Sequence, residues 1–478
     1  MDPFDLLVIG GGINGAAIAR DAAGRGAKVL LVEKDDLAAH TSSASSKLAH
    51  GGLRYLERRE FRLVRESLAE REILLRNAPH IVRPLRFVLP DPPGGRPTWL
   101  IRIGLLLYDL FALRGSLPRS RGVPRRDPAR AALRQDRRFR CLSYWDASVD
   151  DARLTVLNAV DAAERGGEIA TRTALLSGRR EGETWRAELS RGRVVEAKAI
   201  VNAAGPWVAD VLARLGARSS ARLRLVRGSH ILVQALFDGD QGYILQQPDG
   251  RVVFALPFEG RTLVGTTDVP VAGPGEASVS EEETGYLCDA ANLYFARRVA
   301  PEDILWRYAG IRALHDDGAG EAQAVSRDYR LELDEAPGPQ LLSVFGGKIT
   351  TARALAAEAL DRLGIDGLKF TRTTPLPGGV LLPPFLAWLD ELAAWMPAPL
   401  LARLSRAYGT RLRDLIGGAT GVDQLGRHFG AGLYEAELRY LRDREFARTA
   451  EDVLWRRTKL GLDMSPAQRK AVAQWLSA

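Results

Sequence analysis

Short apolar runs alternate with helical periodicity at the start of the chain. Residues 4–9 (FDLLVI) and 28–32 (KVLLV) have the length and composition of buried strands, and residues 16–25 between them have helical periodicity. The pattern therefore predicts a strand–helix–strand unit, the arrangement that builds parallel sheets. Further helices are expected at residues 60–76 and 154–164, and further strands within residues 169–201, 222–233, 252–256 and 262–265.

The pattern changes towards the end of the chain. Prolines between residues 79 and 97 predict an extended or looped connection, and PLPGG at residues 375–379 predicts a linker. After this linker, helical periodicity covers residues 385–395, 399–408 and 431–459. We therefore expect an α/β region over residues 1–375, with a β-rich substrate-binding insertion at roughly 222–330, and a separate helical domain over residues 380–478.

A glycine-rich turn joins the first predicted strand to the first helix. Its sequence GGGING (residues 10–15) supplies a G-x-G-x-x-G pattern, and Glu33 follows 18 residues after Gly15, at the end of the second strand. In such a unit the glycines permit a tight turn, admit a pyrophosphate and let the helix pack closely, while the acid accepts hydrogen bonds from a ribose. The complete unit favours a dinucleotide site over a merely structural turn, and its N-terminal position favours FAD over NAD. The residues assigned to this site are Gly10, Gly12, Ile13, Asn14, Gly15 and Glu33.

Composition and charge narrow the classes of function. The 478 residues allow two or three domains, and 46% hydrophobic with 26% charged residues is typical of a globular protein. The net charge of +8 suits an anionic membrane, a small anionic substrate or a nucleic acid. Neither zinc-type Cys/His spacing nor a nucleic-acid motif is present, so we expect no metal and no nucleic acid. Cys141 and Cys288 form no CxxC motif, which suggests a reducing compartment, and no signal peptide is expected.

The most apolar window of the chain is WLIRIGLLLYDLFAL at residues 99–113. Its 15 residues include Arg102 and Asp109, so it is too short and too charged to span a membrane. Residues 114–140, which follow, contain ten arginines and only two acids. One interpretation is a buried helix, and the other is an element lying on anionic lipid. We favour the membrane surface.

Three further motifs offer small residues or charges beside the predicted nucleotide site. VNAAGPW (residues 201–207) ends a buried strand in a turn, where Ala204 and Gly205 are candidates for contact with the cofactor. SVFGGKITT (residues 343–351) is a second candidate anion cradle, containing Gly346, Gly347, Lys348 and Thr350. HGGLRYL (residues 50–56) contains Arg54, whose planar guanidinium matches a phosphate. Taken singly, each is also compatible with an ordinary turn.

Taken together, these segments resemble the FAD-dependent glycerol-3-phosphate dehydrogenases of the aerobic, respiratory type. The similar segments run in order from the first strand to the last helices: DLLVIGGGINGAAIARDAAGRG, SSASSKLAHGGLRYLE, VNAAGPWV, VRGSHI, GTTDV, YAGIR, SVFGGKITT and EDVLWRRTKLGL. The resemblance implies a Rossmann-like FAD-binding domain of the two-dinucleotide-binding, DAO type, with a β-rich substrate domain and a C-terminal α-helical domain. Ala313 stands after Arg312 where the family commonly has proline.

The resemblance also implies an activity. The expected reaction is oxidation of sn-glycerol 3-phosphate to dihydroxyacetone phosphate by hydride transfer to FAD, with the electrons passed to a membrane quinone. Carried over residue by residue, the expected site has three groups of side chains. Arg54, Tyr55, Thr266, Thr267, Arg312 and Lys348 would contact the substrate, His50 and His230 are alternative proton acceptors, and Ser42, Ser45, Ser46 and Lys47 would contact the cofactor. The expected location is the cytoplasmic side of the inner membrane, bound peripherally, with a homodimer possible.

Three other functions stay open at this point. A glycerol-phosphate oxidase, in which O2 replaces the quinone, shares the substrate motifs. An amine or amino-acid oxidase of the same superfamily would need fewer cations for its substrate. A non-catalytic FAD-dependent protein that binds membrane or RNA would not need to retain Arg54, Arg312 and Lys348.

Overall fold

The computed structural model describes most of the chain. Outside the described residues lie 1–2, 57–59, 92–96, 113–114, 276, 317–327 and 335, together with the side chain of Arg54. The strands described are β1 (Phe4–Ile9), β2 (Val29–Val32), β3 (Leu48–Ala49), β4 (Val82–Pro90), β5 (Arg121–Gly122), β6 (Cys141–Val149), β7 (Glu168–Ala170), β8 (Leu175–Glu181), β9 (Thr184–Leu189), β10 (Val194–Asn202), β11 (Leu223–Val233), β12 (Gly242–Gln246), β13 (Val252–Phe258), β14 (Arg261–Gly265), β15 (Val269–Val271), β16 (Ile304–His315), β17 (Arg330–Leu333), β18 (Gln340–Phe345), β19 (His428–Gly430) and β20 (Leu433–Tyr434).

Helices connect and cover these strands. The α-helices described are α1 (Ile13–Gly24), α2 (Phe61–Asn77), α3 (Thr98–Phe111), α4 (Asp151–Glu164), α5 (Val208–Arg214), α6 (Glu281–Asn292), α7 (Ala352–Arg362), α8 (Pro383–Ala393), α9 (Ala398–Tyr408), α10 (Leu412–Ile416), α11 (Glu435–Arg444) and α12 (Pro466–Ser477). The helices expected at residues 60–76 and 154–164 are therefore present as α2 and α4.

The first sheet carries the predicted strand–helix–strand unit. Its order is β17-β18-β10-β1-β2-β7, and the pairs from β18 to β7 are parallel; the β8–β9 hairpin adds to β10 in antiparallel fashion. Helices α1, α4 and α7 cover one face through a continuous apolar core, while α5 packs against the core of the other face. Because strands of such a sheet are buried on both faces, they read as unbroken apolar runs. The predicted fold class, an FAD-type α/β domain with a β-rich and a helical part, is confirmed.

The second sheet is larger than the expected insertion. Ten mostly antiparallel strands follow the order β15-β11-β14-β13-β12-β4-β6-β3, with β16 paired to β11 and β5 to β6. The β-rich part therefore draws β3 to β6 from residues 48–149 as well as the strands after residue 222. The expectation of a loop at residues 79–97 was wrong for residues 82–90, which form β4 along β6. Proline lacks the backbone donor but can occupy strand ends and positions that bond on one side only, which explains the error.

The C-terminal residues have a core of their own. Apolar side chains between Leu392 and Val472 pack together around α9, α10 and α11. The expectation of one helical stretch at residues 431–459 was wrong in part, because β20 precedes α11 and a π-helical segment at Asp452–Arg457 follows it. Phe446 has φ of 62° and Lys459 has φ of 61°, left-handed conformations that a continuing right-handed helix does not contain.

Helix α3 exposes most of its apolar side chains. Only Leu105 and Tyr108 of this helix are buried, whereas Trp99 is 65%, Leu106 51% and Leu110 56% exposed. The buried-helix interpretation of residues 99–113 is therefore wrong for the described part; Leu113 and Arg114 lie outside it. No helix in the described residues has both the length and the apolar character needed to cross a membrane.

Candidate active site

The glycine turn between β1 and α1 is held by two side chains from neighbouring loops. The Gly11 N–H donates to Glu33 Oε2 at 2.7 Å, and the Ile13 N–H at the start of α1 donates to Ser42 Oγ at 2.9 Å. A Cβ on Gly15 would lie 1.9 Å from the Gly10 carbonyl oxygen, so the third glycine allows the helix to pack on the turn. Gly10 itself has φ of 111°, which favours glycine.

Glu33 is a structural acceptor as well as a candidate ribose ligand. Its Oε1 accepts the Asp35 N–H at 2.8 Å while Oε2 accepts the Gly11 N–H. Burial raises the pKa of Glu33 above its ordinary value, although the two backbone donors favour the charged form. The carboxylate lines the cavity described below, and its contact with a ribose stays a prediction.

The serine-rich loop is anchored to Asp151 at the start of α4. Ser45 Oγ donates to Asp151 Oδ2 at 2.7 Å, and Lys47 Nζ lies 2.9 Å from Oδ1. Burial opposes the charge on Lys47, but the Asp151 carboxylate outweighs it and raises the pKa of Lys47. Lys47 therefore acts as the internal counter-charge of this loop, and its ammonium faces Asp151. Sequence reasoning missed Asp151, whose position just after the strand at residues 141–149 carries no motif.

Three chain segments distant in sequence converge on the glycine turn. Asn14 Nδ2 donates to the Gly346 carbonyl at 3.2 Å, and the His50 N–H donates to Thr350 Oγ1 at 3.2 Å. A Cβ on Gly10 would lie 2.6 Å from the Ala203 carbonyl oxygen, so the end of β10 also touches the turn. The motifs that the sequence singled out separately are thus one structure.

A cavity of about 1350 Å³ runs between these segments. Most of the predicted site residues line it, and a smaller group does not. Those lining it are Gly10, Gly12, Ile13, Asn14, Glu33, Ser42, Ser45, Ser46, His50, Tyr55, Ala204, Gly205, Thr266, Arg312, Gly346, Gly347, Lys348 and Thr350. Gly15, Lys47, His230 and Thr267 lie behind its wall, and the side chain of Arg54 is outside the described part of the chain.

Two cations reach the cavity from opposite sides. Arg312 Nη1 lies 2.7 Å from Asp268 Oδ1, and its Nη2 donates to Thr266 Oγ1 at 2.8 Å. Lys348 Nζ donates to Ser67 Oγ at 3.0 Å and lies 4.3 Å from the centre of the Tyr55 ring. Asp268 also lines the cavity and was not singled out, although it stands in the quoted GTTDV segment. Arg312 is thus oriented by an acid within the same wall.

The two candidate proton acceptors occupy different environments. His50 lines the cavity, with its ring centre 6.4 Å from that of Tyr55. His230 is 1% exposed, its Nε2 lies 2.9 Å from Ser46 Oγ, and its ring stacks on Tyr308. Burial, and then the positive charges of Arg312 and Lys47, hold the pKa of His230 well below its ordinary value. His230 is therefore neutral near pH 7 and meets the cavity through Ser46.

The residues at the glycine turn fit a dinucleotide. A Cβ on Gly12 would approach Ser42 Oγ at 3.2 Å and no other protein atom within 4 Å, so this face of the turn opens towards the cavity. Asn14 Oδ1 is buried without a hydrogen-bond partner among the described residues. An open backbone cradle at a helix N-terminus suits a pyrophosphate.

Comparison with known proteins agrees with this geometry. The family described as FAD dependent oxidoreductase matches residues 5–367, and the C-terminal domain of alpha-glycerophosphate oxidase matches residues 369–477. The chain is 49% identical to D-erythritol 1-phosphate dehydrogenase of Brucella abortus, over 98% of this chain and 97% of that protein. It is 50% identical to glycerol-3-phosphate dehydrogenase of Pseudomonas aeruginosa, over 99% and 95% respectively.

A solved structure extends the similarity to the fold. The glycerol-3-phosphate dehydrogenase of Bacillus halodurans, determined with FAD, aligns with a TM-score of 0.72 and 26% identity, covering 100% of this chain and 94% of that one. The resemblance stated from the motifs and the assignment of FAD as cofactor are both confirmed. The chain therefore belongs to the FAD-dependent oxidoreductase family, in the group that carries a glycerophosphate-oxidase type of C-terminal domain and includes the glycerol-3-phosphate dehydrogenases.

Proposed function

We propose that this protein oxidises sn-glycerol 3-phosphate to dihydroxyacetone phosphate and passes the electrons to a membrane quinone. The observation that carries the proposal is the arrangement of Arg312, Lys348 and His50 around one cavity that also contains the glycine turn. A dianionic phosphate needs fixed cations, and the two cationic side chains supply them. Arg54, in the neighbouring HGGLRYL segment, is proposed as a third.

The side chains can divide the chemistry between them. Bound FAD supplies the hydride acceptor, and the protein provides orientation, charge and a proton acceptor. Lys348 and Arg312 orient the phosphate, while Tyr55 and Thr266 stand beside them to contact the rest of the substrate. Their positive charges also favour ionisation of the nearby hydroxyl. His50, which lines the cavity, accepts the hydroxyl proton more directly than His230, which lies behind Ser46.

A longer phosphorylated polyol is the second candidate substrate. The identity to the erythritol-phosphate enzyme, 49%, is nearly the same as the 50% to a glycerol-phosphate enzyme, so overall similarity does not separate them. Both substrates carry a phosphate and a secondary alcohol, and the same cations and proton acceptor would serve either. Amino-acid oxidation is less well supported, because the solved amino-acid oxidases share the fold at 14–20% identity.

Flavin reduction under anaerobic conditions tests the substrate. Glycerol 3-phosphate and erythritol 1-phosphate are added separately to the yellow holoenzyme, with unphosphorylated glycerol and glycine as controls. Bleaching by one phosphorylated polyol, and not by the controls, is expected. Bleaching by glycine alone would assign the enzyme to amino-acid oxidation. Peroxide formation under air, compared with quinone reduction, then separates an oxidase from a dehydrogenase.

The proposed location is the cytoplasmic face of the inner membrane. The exposed apolar side of α3 supports it, as do the exposed arginines that follow: Arg119, Arg121, Arg125, Arg126, Arg138 and Arg140. The loop after α3 folds back onto the helix, since Ser120 Oγ donates to Asp109 Oδ2 at 2.6 Å and accepts from Arg102. This contact keeps the beginning of the arginine-rich loop next to the apolar face. A homodimer stays a possibility.

A further inference from the structure

The cavity is divided into a polar part and an apolar part. The polar part contains the glycine turn, Arg312 and Lys348. The apolar part is walled by Leu56, Phe87, Leu89, Tyr144, Ile244 and Phe254, which belong to one apolar cluster of the second sheet. Among the described side chains that line the cavity between residues 53 and 144, none is charged. A dianionic phosphate would lose its hydration there without compensation, so the polyol phosphate does not occupy this part.

The apolar part ends at helix α3. Leu100, Ile103, Gly104 and Leu107 line the cavity from this helix, while the side chains of Leu100, Ile103 and Leu107 are also exposed to solvent. The same side chains therefore belong to the cavity wall and to the exposed apolar face. Leu106 and Leu110 lie on that face without lining the cavity. The cavity thus opens at the face proposed to contact the membrane.

The outer and inner ends of the apolar part are mechanically linked. Tyr108, one helical turn after Gly104, accepts the Gly51 N–H at 3.0 Å and donates to Asp146 at 2.8 Å. Arg71 pairs with the same Asp146 carboxylate at 2.8 Å. This buried network fixes α3 directly to the residue that follows His50. The opening at α3 and the polar site therefore belong to one rigid structure.

We propose that α3 forms the entrance through which a membrane quinone reaches the cofactor, with Gly104 at its mouth. This proposal rests on the proposed function and adds the route of the acceptor. A quinone ring is flat, uncharged and dissolved in lipid, so it suits a wall of aromatic and aliphatic residues that begins at the membrane face. The balance is closed: the alcohol loses two electrons and two protons, and the quinone takes up two electrons and two protons to become a quinol.

Gly104 allows a direct test, because a Cβ there would meet no atom within 4 Å and its φ is not left-handed. Gly104→Trp should fold, since most residues favour a helix more than glycine does, and should place a large ring in the mouth. Gly104→Ala is the matched control at the same position. Leu106→Trp adds the same ring on the exposed face away from the cavity.

The measurements separate the acceptor from the substrate. With a short-tailed benzoquinone, Gly104→Trp should raise KM by about tenfold or more, an effect of the size expected from roughly 1.4 kcal/mol of lost binding. Calorimetric Kd for the same quinone should rise in parallel, which is a readout independent of turnover. Flavin content, anaerobic bleaching by glycerol 3-phosphate and turnover with a small hydrophilic dye should stay within about twofold of the wild type.

Each outcome decides something specific. Unchanged quinone KM and Kd in Gly104→Trp would overturn the entrance, as would equal losses in Gly104→Ala or Leu106→Trp. If no polyol phosphate bleaches the wild-type flavin, the proposed substrate fails, while the calorimetric comparison of quinone binding still tests the entrance.

Discussion

Arg457 and Asp36 form a bidentate ion pair that joins the C-terminal residues to the FAD-binding sheet. Arg457 Nη1 lies 2.6 Å from Asp36 Oδ2 and Nη2 lies 2.9 Å from Oδ1, with both side chains at most 1% exposed. Asp36 follows Glu33 by three residues, and Arg456 also donates to it at 2.7 Å. The C-terminal part thus supports the loop that carries the candidate ribose ligand.

Removing this arginine should destabilise the enzyme. Arg457→Ala leaves Asp36 buried with one partner fewer, and breaking a buried pair costs about 3–5 kcal/mol in the free energy of unfolding. Urea denaturation of the holoenzyme measures this loss, and FAD retention on gel filtration should fall with it. Arg439→Ala is the control, because the Arg439–Glu435 pair is exposed and should change stability by less than about 1 kcal/mol. Equal stability of the two variants would show that Arg457 does not support the loop.

The local part of this design could be predicted from the sequence, and the long-range part could not. The β1–α1–β2 unit and Glu33 follow from periodicity and glycine spacing within 30 residues, and both are present. The Arg457–Asp36 pair joins residues 421 apart, and no local pattern reports such a contact. The same reason explains why β4, hidden behind its prolines, was expected to be a loop.

The candidate site shows the same division. Sequence motifs found Lys348, Arg312 and both histidines, because each follows a glycine or a strand in a recognisable segment. They could not distinguish His50, on the cavity wall, from His230, behind Ser46. That difference depends on how β11 and β16 pair, which brings Tyr308 opposite His230.

The glycine turn gives a test of cofactor binding separate from folding. Gly12→Val should fold, because the added side chain meets only Ser42 Oγ closely, but it should lose FAD since the side chain fills the cradle. Flavin absorbance per protein and circular dichroism measure the two effects. Gly273→Val, in open space without a left-handed φ, should keep both the flavin and the fold. A fully yellow Gly12→Val protein would contradict the assigned pyrophosphate site.

Lys348 should act on the substrate and not on the flavin. Lys348→Ala is expected to lower kcat/KM for the phosphorylated substrate by about 2–5 kcal/mol of transition-state stabilisation, as for other lost charge partners. FAD content should be retained, because Lys348 is anchored by Ser67 and Tyr55. Lys369→Ala removes an exposed lysine paired with Asp361 and should leave kcat/KM unchanged. Wild-type kcat/KM in Lys348→Ala would remove this residue from the site. Arg54→Ala is expected to behave as Lys348→Ala does.

The two histidines should separate in the pH dependence of flavin reduction. Replacing the base lowers the rate by roughly 10²–10⁴-fold, and we expect this from His50→Gln. Because burial and nearby cations lower the pKa of His230, this residue gains its proton only well below pH 6.5. An acidic limb near the ordinary histidine pKa of about 6.5 therefore cannot come from His230. It should disappear in His50→Gln and persist in His230→Gln, as stopped-flow rates from pH 5 to 8 would measure. Loss of that limb in His230→Gln alone would reverse the assignment.

The arginine-rich loop should determine the preference for anionic lipid, while α3 supplies binding that resists salt. Each basic residue near such a surface contributes roughly 1 kcal/mol, so replacing Arg119, Arg121, Arg125 and Arg126 by glutamine should weaken flotation with anionic liposomes strongly at low salt. A matched variant with Arg191, Arg218, Arg372 and Arg439 replaced carries the same change of four charges on other exposed positions. The apolar face of α3 is intact in both, so residual binding at high salt should persist, and turnover with a soluble dye should not change. If both variants lose the anionic preference equally, only net charge matters. If neither loses it, the loop is an ordinary charged surface and the membrane contact lies elsewhere.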